Sequence, residues 1–160
     1  MRILIVCLGN ICRSPLAEGI LKEKIKNKGL NVVINSAGTG SYHIGEHPDK
    51  RAIQIAKRYG IDISQLRARQ FSANDFDAFD RIYVMDNSNL EDVISQARNS
   101  NDKNKVKLFL EAARYAGIKD VPDPWYGGMN EFEQVFNLLN EASGKIADSI
   151  LKEVTHAERK

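Results

Sequence analysis

A cysteine and an arginine lie six residues apart near the start of the sequence, and their types and spacing suit the binding of an anion. Cys7 follows four apolar residues, Ile3 to Val6, which are typical of a strand buried on both faces. Arg13 is followed by Ser14, which suits the cap of a helix, and by Pro15, which suits its first position. The pattern predicts a strand, a tight loop and a helix, with the cysteine where the loop begins and the arginine where it ends.

Such a loop can hold a tetrahedral dianion for nucleophilic attack. Its backbone N–H groups and the positive end of the helix dipole attract the anion. The guanidinium of Arg13 would spread the charge of a transferring phosphoryl group, and the same field would favour a thiolate at Cys7. The alternative is a buried cysteine and a surface arginine, because Cys-x5-Arg alone occurs by chance. The strand before the loop and the Ser-Pro helix start after it favour the phosphoryl-transfer interpretation.

A leaving oxyanion needs a proton, so the site also needs a carboxylic acid from elsewhere in the chain. The segment VPDPWYGG, residues 121–128, places Asp123 between two prolines and beside Trp125 and Tyr126. An aspartate in a proline turn is also a common structural feature. Asp120 is a competing acid, and the residues alone leave both candidates open.

The elements that must position these residues alternate between short apolar runs and amphipathic stretches. We predict strands at 3–6, 32–34, 82–85 and 106–110, and helices from Ser14 to Gly29, over 49–59, after Asn87 and from Asn130, where Asn130 and Glu133 resemble a capping box. Residues 36–49 are expected to form a loop, and the polar run 99–105 is typical of disorder. The alternation predicts an α/β fold: a doubly wound, four-stranded parallel sheet with helices on both faces and a phosphate-binding loop after the first strand.

The composition is that of an ordinary globular protein and narrows the function. The 160 residues fit one domain, residues 1–160. A net charge of +2, from 23 basic and 21 acidic residues, does not indicate a nucleic-acid partner. No apolar stretch is long enough for a signal peptide or a membrane span, and two cysteines in one loop do not make a disulfide framework. We therefore expect a cytoplasmic protein without a membrane partner.

Five motifs together resemble one family over essentially the whole chain. CLGNICRSP, residues 7–15, resembles the active-site loop C-x-G-N-I-C-R-S-P of the low-molecular-weight protein tyrosine phosphatases. NSAGT at 35–39, RARQF at 67–71, FDRIYVMDNSNL at 79–90 and DPWYGG at 123–128 resemble that family in the same order. The resemblance implies a cysteine-dependent protein tyrosine phosphatase that forms a phosphocysteine intermediate and needs no metal or other cofactor.

The resemblance also implies roles for individual residues. Cys7 would be the nucleophile, Arg13 would bind the transferring group, and Asp123, which begins the family's D-P-aromatic-aromatic motif, would be the general acid. The phosphate-binding loop would further comprise Leu8, Gly9, Asn10, Ile11, Cys12 and Ser14, with Ser14 donating to the thiolate.

Other residues would support or line this site. The resemblance implies that Ser36 donates a hydrogen bond to Asn10. Asp86 matches an aspartate that orders neighbouring loops, often with a histidine where this chain has Leu66. Tyr42, His43, Trp125 and Tyr126 would line the mouth of the pocket and stack on a phenyl ring. A metal site at His43, Glu46 and His47 is the alternative for that segment, but Gly45 and Pro48 argue against the helix that it needs.

The expected partner is a tyrosine-phosphorylated protein or peptide, bound by a monomer. Arginine phosphatases are similar but carry threonine where this chain has Ile11, and arsenate reductases of this fold use additional cysteines. A catalytically silent phosphate-binding module is a further alternative. Because a wrapped loop brings its ends together, we also expect Cys7 and Cys12 to approach disulfide range, about 4.4–6.8 Å between Cα atoms, and activity to be redox-sensitive.

Overall fold

The sheet is built around the strand that precedes the predicted loop. The computed structural model describes residues 1–159, and Lys160, the last residue of the predicted domain, lies outside the described residues. In residues 1–159 the strands are β1 (Arg2–Cys7), β2 (Val33–Gly38), β3 (Arg81–Val84) and β4 (Val106–Leu108). All neighbouring pairs are parallel, in the order β2-β1-β3-β4. The predicted four-stranded parallel sheet is confirmed.

Helices cover both faces of this sheet. They are α1 (Arg13–Asn27), α2 (Lys50–Arg58), α3 (Asp75–Ala78), α4 (Asn87–Ile94), α5 (Ser100–Asn104), α6 (Phe109–Ala112) and α7 (Met129–Glu158). Ile3 and Ile5 of β1 belong to a core that includes residues of α1 and α7, whereas Leu4 and Val6 belong to a second core with residues of α3 and α4. Successive side chains of a strand point to opposite faces, so β1 divides the two cores. None of the helices in residues 1–159 is both long enough and apolar enough to cross a membrane.

β1 and β3 lie within one residue of their predicted bounds, whereas β2 and β4 differ from theirs by more. β2 begins at Val33 and continues to Gly38, because Asn35 and Ser36 pair with β1 although their polar side chains concealed the strand in the sequence. β4 ends at Leu108, and Phe109–Ala112 form α6 instead. Phe109 and Leu110 are fully buried in the first core. A short apolar run does not by itself distinguish a buried strand from a buried helical turn.

Three predicted features at helix ends were also wrong. α1 begins at Arg13 with Cys12 in the cap position, so Ser14 is not the cap and its hydroxyl bonds within the loop instead. Pro15 is accordingly the third residue of the helix, where the first was expected. α7 begins at Met129, and the carboxylate of Glu131 accepts from the N–H of Gly128, where a box of Asn130 and Glu133 was expected.

The polar run 99–105 contains helix α5, although its composition suggested disorder. The side chain of Asn99 accepts from the N–H of Asp102, which caps the helix. Asp102 also accepts from the guanidinium of Arg98 at 2.9 Å. These local hydrogen bonds replace the apolar contacts that the sequence lacks.

Candidate active site

The loop from Cys7 to Arg13, called the phosphate loop here, turns its carbonyl groups outward. The carbonyls of Cys7, Leu8 and Ile11 accept hydrogen bonds of 2.8–2.9 Å from the backbone N–H groups of Thr39, Gly40 and Asp49. Within residues 1–159, the N–H groups of Gly9 to Arg13 donate to no other protein group. Successive free N–H groups at the start of α1 form an anion-binding concavity, to which the helix dipole adds positive charge.

The phosphate loop passes so close to β2 that one position there requires glycine. A Cβ added at Gly38 would lie 2.7 Å from the carbonyl oxygen of Leu8 and 3.1 Å from the backbone nitrogen of Asn10. Such distances are shorter than atoms tolerate without moving. The end of β2 therefore packs directly against the backbone of the phosphate loop.

A buried chain of polar groups leads to the sulfur of Cys7. The Sγ of Cys7 lies 3.0 Å from the Oγ of Ser14. The amide of Asn10 donates to Ser14 at 2.8 Å and to Ser36 at 2.9 Å. Asn10 has a left-handed backbone, φ 57°, which asparagine tolerates better than most residues. Its side-chain oxygen Oδ1 accepts from the backbone N–H of Arg69. Asn10 and Ser36 are thus in contact, but Ser36 accepts where it was expected to donate.

Glu18 explains this direction, and sequence reasoning missed it. Its buried carboxylate accepts from the hydroxyl of Ser36 at 2.6 Å and pairs with Lys22 one helical turn later. A carboxylate can only accept, so the Ser36 proton points to Glu18 and its lone pairs face Asn10. Asn10 then donates to Ser14, whose own proton is left for Cys7. The one signal in the sequence was a lone acidic residue among the apolar positions of α1.

The guanidinium of Arg13 is held along one edge. Its Nη1 donates to Asp86 Oδ2 at 2.6 Å and to the carbonyl of Val121 at 2.9 Å. Burial by itself lowers the pKa of Arg13, but the negative charge at Cys7 and the hydrogen bond to Asp86 outweigh it and raise the pKa above its ordinary value. Within residues 1–159, Nε and Nη2 donate no hydrogen bond, so that edge suits two oxygens of an anion.

Asp86 binds Arg13 and caps α4, although this chain lacks the histidine that often accompanies the matching aspartate in the family. Its second oxygen accepts from the N–H of Asn89 and caps α4, while the first holds Arg13. Leu66, at the position matched to the family histidine, is half-buried against the first core. Both carboxylate oxygens of Asp86 are therefore engaged by other groups.

The two candidate acids have different surroundings. Asp123 lies 3.7 Å from Nη2 of Arg13, and its Oδ1 accepts from the N–H of Trp125. Asp120 instead accepts from the backbone N–H of Asn87 at the start of α4. Asp123 lines the same cavity as Cys7 and Arg13, which favours it over Asp120 as the acid.

That cavity has a volume of about 330 Å³ and combines a charged floor with aromatic walls. It is lined by Cys7, Leu8, Gly9, Ile11, Cys12, Arg13, Tyr42, His43, Asp123, Trp125 and Tyr126. The predicted Asn10, Ser14, Ser36 and Asp86 lie behind this lining and support it. A phosphorylated aromatic ring fits such a cavity, with the anion at the floor and the ring between the walls.

The segment considered as a metal site contains separate pairs. His43 bonds to Glu46 at 2.6 Å, and its ring lies 5.8 Å from that of Trp125, whereas His47 bonds to the carbonyl of Ser64. In the described part of the chain, no three acidic, histidine or cysteine side chains are placed to hold a metal ion.

Comparison with known proteins agrees with this geometry. A family model described as low molecular weight phosphotyrosine protein phosphatase matches residues 2–156. A low molecular weight phosphotyrosine protein phosphatase of Schizosaccharomyces pombe is 40% identical over 153 residues, which cover 94% of this chain and 97% of that protein.

Solved structures share the fold over nearly their full lengths. A protein tyrosine phosphatase from Entamoeba histolytica, crystallised with HEPES in the active site, is 34% identical with a TM-score of 0.89, covering 96% of this chain and 98% of that one. The YwlE arginine phosphatase of Bacillus subtilis is 26% identical with a TM-score of 0.86, covering 95% and 97%. By sequence and by structure, the chain belongs to the low molecular weight phosphotyrosine protein phosphatase family.

Proposed function

We propose that this protein hydrolyses phosphotyrosine in proteins or peptides through a phosphocysteine intermediate. The observation that carries the proposal is the single cavity that contains Cys7, Arg13 and Asp123 between aromatic walls. A nucleophile at the floor of a deep slot reaches the phosphorus of a long phenyl phosphate more readily than that of a short seryl phosphate. Membership of the family supports the same activity.

In the first step, the Cys7 thiolate attacks phosphorus while the bond from phosphorus to the phenolic oxygen breaks. Arg13 and the loop N–H groups neutralise the charge on the three equatorial oxygens. Asp123 gives its proton to the leaving oxygen, so that the products are phosphocysteine and a neutral phenol.

In the second step, water attacks phosphorus and Asp123, now a carboxylate, takes a proton from it. The bond from phosphorus to sulfur breaks, releasing inorganic phosphate and the thiolate. The hydroxyl of Ser14, 3.0 Å from Sγ, would donate to this thiolate and make it a better leaving group.

Arginine phosphatase activity is the second candidate, since YwlE shares the fold. Ile11 argues against it, because this buried aliphatic side chain lines the cavity and offers no hydrogen-bond partner to a guanidinium. A flat phenyl ring packs well against the same side chain.

We further propose a reducing location such as the cytoplasm and a redox-sensitive activity. Cys7 and Cys12 are both free thiols in the structure, and the nucleophile needs to remain one. We propose that the protein acts as a monomer, which size-exclusion chromatography with light scattering tests directly.

Hydrolysis of a phosphotyrosine peptide by wild type and Cys7→Ser tests the activity. We expect no turnover by Cys7→Ser, with inorganic phosphate still bound in calorimetry. The matched pair Asp123→Ala and Asp120→Ala tests the acid: only Asp123→Ala should slow phenyl phosphate far more than 2,4-dinitrophenyl phosphate, whose leaving group needs no proton. Turnover by Cys7→Ser, or the leaving-group effect in Asp120→Ala instead, overturns these assignments.

A further inference from the structure

Asp123 belongs to a segment that has few attachments of its own. Its side chain is 40% exposed, and the neighbouring Tyr126 is 95% exposed. In residues 1–159, both hydrogen bonds that reach residues 124–127 from elsewhere in the chain come from Arg51. Residues 121–128 are called the acid loop here. Val121 anchors the start of this loop through hydrogen bonds to Arg13 and to the carbonyl of Met85, whereas Arg51 anchors residues 124–127.

Arg51 holds the acid loop at two carbonyls. Its Nη1 donates to the carbonyl of Gly127 at 2.7 Å, and its Nη2 donates to that of Trp125 at 3.1 Å. The N–H of Trp125 donates in turn to Asp123 Oδ1 at 3.0 Å. The peptide groups of Trp125 thus connect the guanidinium to the proposed acid.

The guanidinium of Arg51 is also connected to the phosphate loop, through Asp49. Nε and Nη2 donate to the two carboxylate oxygens of Asp49, each at 3.0 Å. Burial alone raises the pKa of Asp49, but the hydrogen bonds from Arg51 outweigh it and hold the pKa below its ordinary value. The backbone N–H of Asp49 donates to the carbonyl of Ile11 at 2.8 Å. Asp49 therefore gives Arg51 a fixed position relative to the nucleophile.

Packing further limits the movement of Arg51. Its guanidinium carbon lies 4.5 Å from the ring centre of Phe132 and 5.7 Å from that of Trp125. Both distances are within the range of cation–π attraction. Phe132 is fully buried at the start of α7, so it provides a rigid support.

We propose that Arg51 is a positioning residue that sets the distance between Asp123 and the bond that breaks. The proposal rests on the proposed function, since it assigns Arg51 to the protonation step of that reaction. Arg51 is not among the residues that line the cavity. It connects the phosphate loop, through Asp49, with the acid loop, through two carbonyls.

The variant Arg51→Met tests this role, with Arg58→Met as the matched control, because Arg58 is an exposed arginine at the end of the same helix. We expect kcat/KM for phenyl phosphate to fall by about tenfold to a hundredfold in Arg51→Met, as a displaced catalytic group costs. For 2,4-dinitrophenyl phosphate we expect a change of about twofold or less, because that leaving group needs no acid. Arg58→Met should resemble wild type on both esters.

A double variant separates positioning from general damage. In the Asp123→Ala background, Arg51→Met should change kcat/KM for phenyl phosphate by no more than about twofold, since no acid remains to be placed. Inhibition by inorganic phosphate should stay at its wild-type value, and Arg51→Lys should restore part of the loss by bonding one carbonyl. If Arg51→Met does not fold, Arg51→Lys carries the same comparison.

The proposal would be overturned if Arg51→Met lowered kcat/KM equally on both esters, or if it lowered kcat/KM as much in the Asp123→Ala background as in wild type. Either result would show that Arg51 acts through the phosphate loop or through stability. Failure of the proposed function gives a different result, since wild type itself would then not hydrolyse either ester.

Discussion

Ile11 and Cys12 contact the anion site without taking part in the proposed chemistry. Both line the cavity and both are nearly inaccessible to solvent. We propose that Ile11 selects the substrate and that Cys12 protects the nucleophile. Each can then be replaced without removing Cys7, Arg13 or Asp123.

Ile11→Thr should relax the selectivity of the cavity. The hydroxyl would offer a partner to a guanidinium and remove apolar contact with a phenyl ring. We expect wild type to turn over a phosphotyrosine peptide well above a phosphoarginine peptide, and the ratio to fall by about tenfold, or about 1.4 kcal/mol, in the variant. Comparable wild-type rates on the two peptides would contradict the role given to Ile11.

Cys12→Ser should make oxidation of the enzyme harder to reverse. Burial, with the charge of Asp49, raises the pKa of the Cys12 thiol above its ordinary value, so Cys12 stays protonated while peroxide converts Cys7 to a sulfenic acid and water. The Cys12 thiol would then displace a second water and close a disulfide.

Peroxide treatment followed by intact mass and reductant measures this. Wild type should lose two hydrogens and regain activity with dithiothreitol, whereas Cys12→Ser should gain oxygens and recover poorly. Equal recovery of the two proteins would assign Cys12 a packing role only.

At the residue scale, sequence spacing predicted the residues that share a short motif and missed those that reach the site from afar. Cys7 and Arg13 lie in one loop between recognisable elements, so their proximity follows from the chain itself. Glu18 and Arg51 act through side chains that meet partners from distant segments. Isolated charged residues on helices usually face solvent, and the sequence distinguishes Glu18 only by its place among apolar positions and Arg51 by nothing.

At the scale of elements, β2 is the support on which the phosphate loop rests. Gly38→Ala would place a Cβ 2.7 Å from the Leu8 carbonyl. The loop must then move, and we expect kcat/KM to fall by about tenfold to a hundredfold on activated and unactivated esters alike, with weaker inhibition by inorganic phosphate.

Gly144→Ala is the matched control. Gly144 lies inside α7, where an added Cβ meets nothing closer than the Lys24 side chain at 3.9 Å. Kinetics should be unchanged, and the free energy of unfolding should rise by about 0.5–1 kcal/mol, as for glycine replaced in a helix. Normal kinetics in Gly38→Ala would show that the loop adapts.

Element types were easier to predict than their ends. The apolar run of β1 and the repeated apolar spacing of α7 identify these two elements as a strand and a helix. The end of β2, in contrast, depends on pairing with β1 rather than on its own residues. α1 begins at Arg13, two residues before its proline, and the start of this helix faces the anion site. The local preference of Ser14 for a cap was overridden by its bond to Cys7.

At the scale of the whole molecule, part of the first core lies at the end of the sheet opposite to the site. Ile150 is fully buried in the first core beside Arg81, the first residue of β3, whereas the site lies beyond the carboxyl ends of the strands. Ile150→Ala should therefore lower the free energy of unfolding by about 2–5 kcal/mol and leave kcat/KM unchanged below the melting transition. Urea unfolding and steady-state kinetics on the same sample measure both.

Leu151→Ala is the neighbouring control, because that side chain is 36% exposed and should cost about 0.5 kcal/mol or less. A loss of activity in folded Ile150→Ala would show that the two ends are coupled.

The hydrogen bond from Arg13 to the carbonyl of Val121 joins positions 108 residues apart. A nascent chain that has passed Arg13 but not Val121 carries the nucleophile and the loop, yet it has no acid and no anchor for the guanidinium. Refolding monitored by hydrolysis would therefore follow the docking of the final quarter of the chain, whereas helix formation monitored by circular dichroism includes earlier steps. The active site is therefore complete only after the segment around Val121 has docked against the loop that contains Arg13.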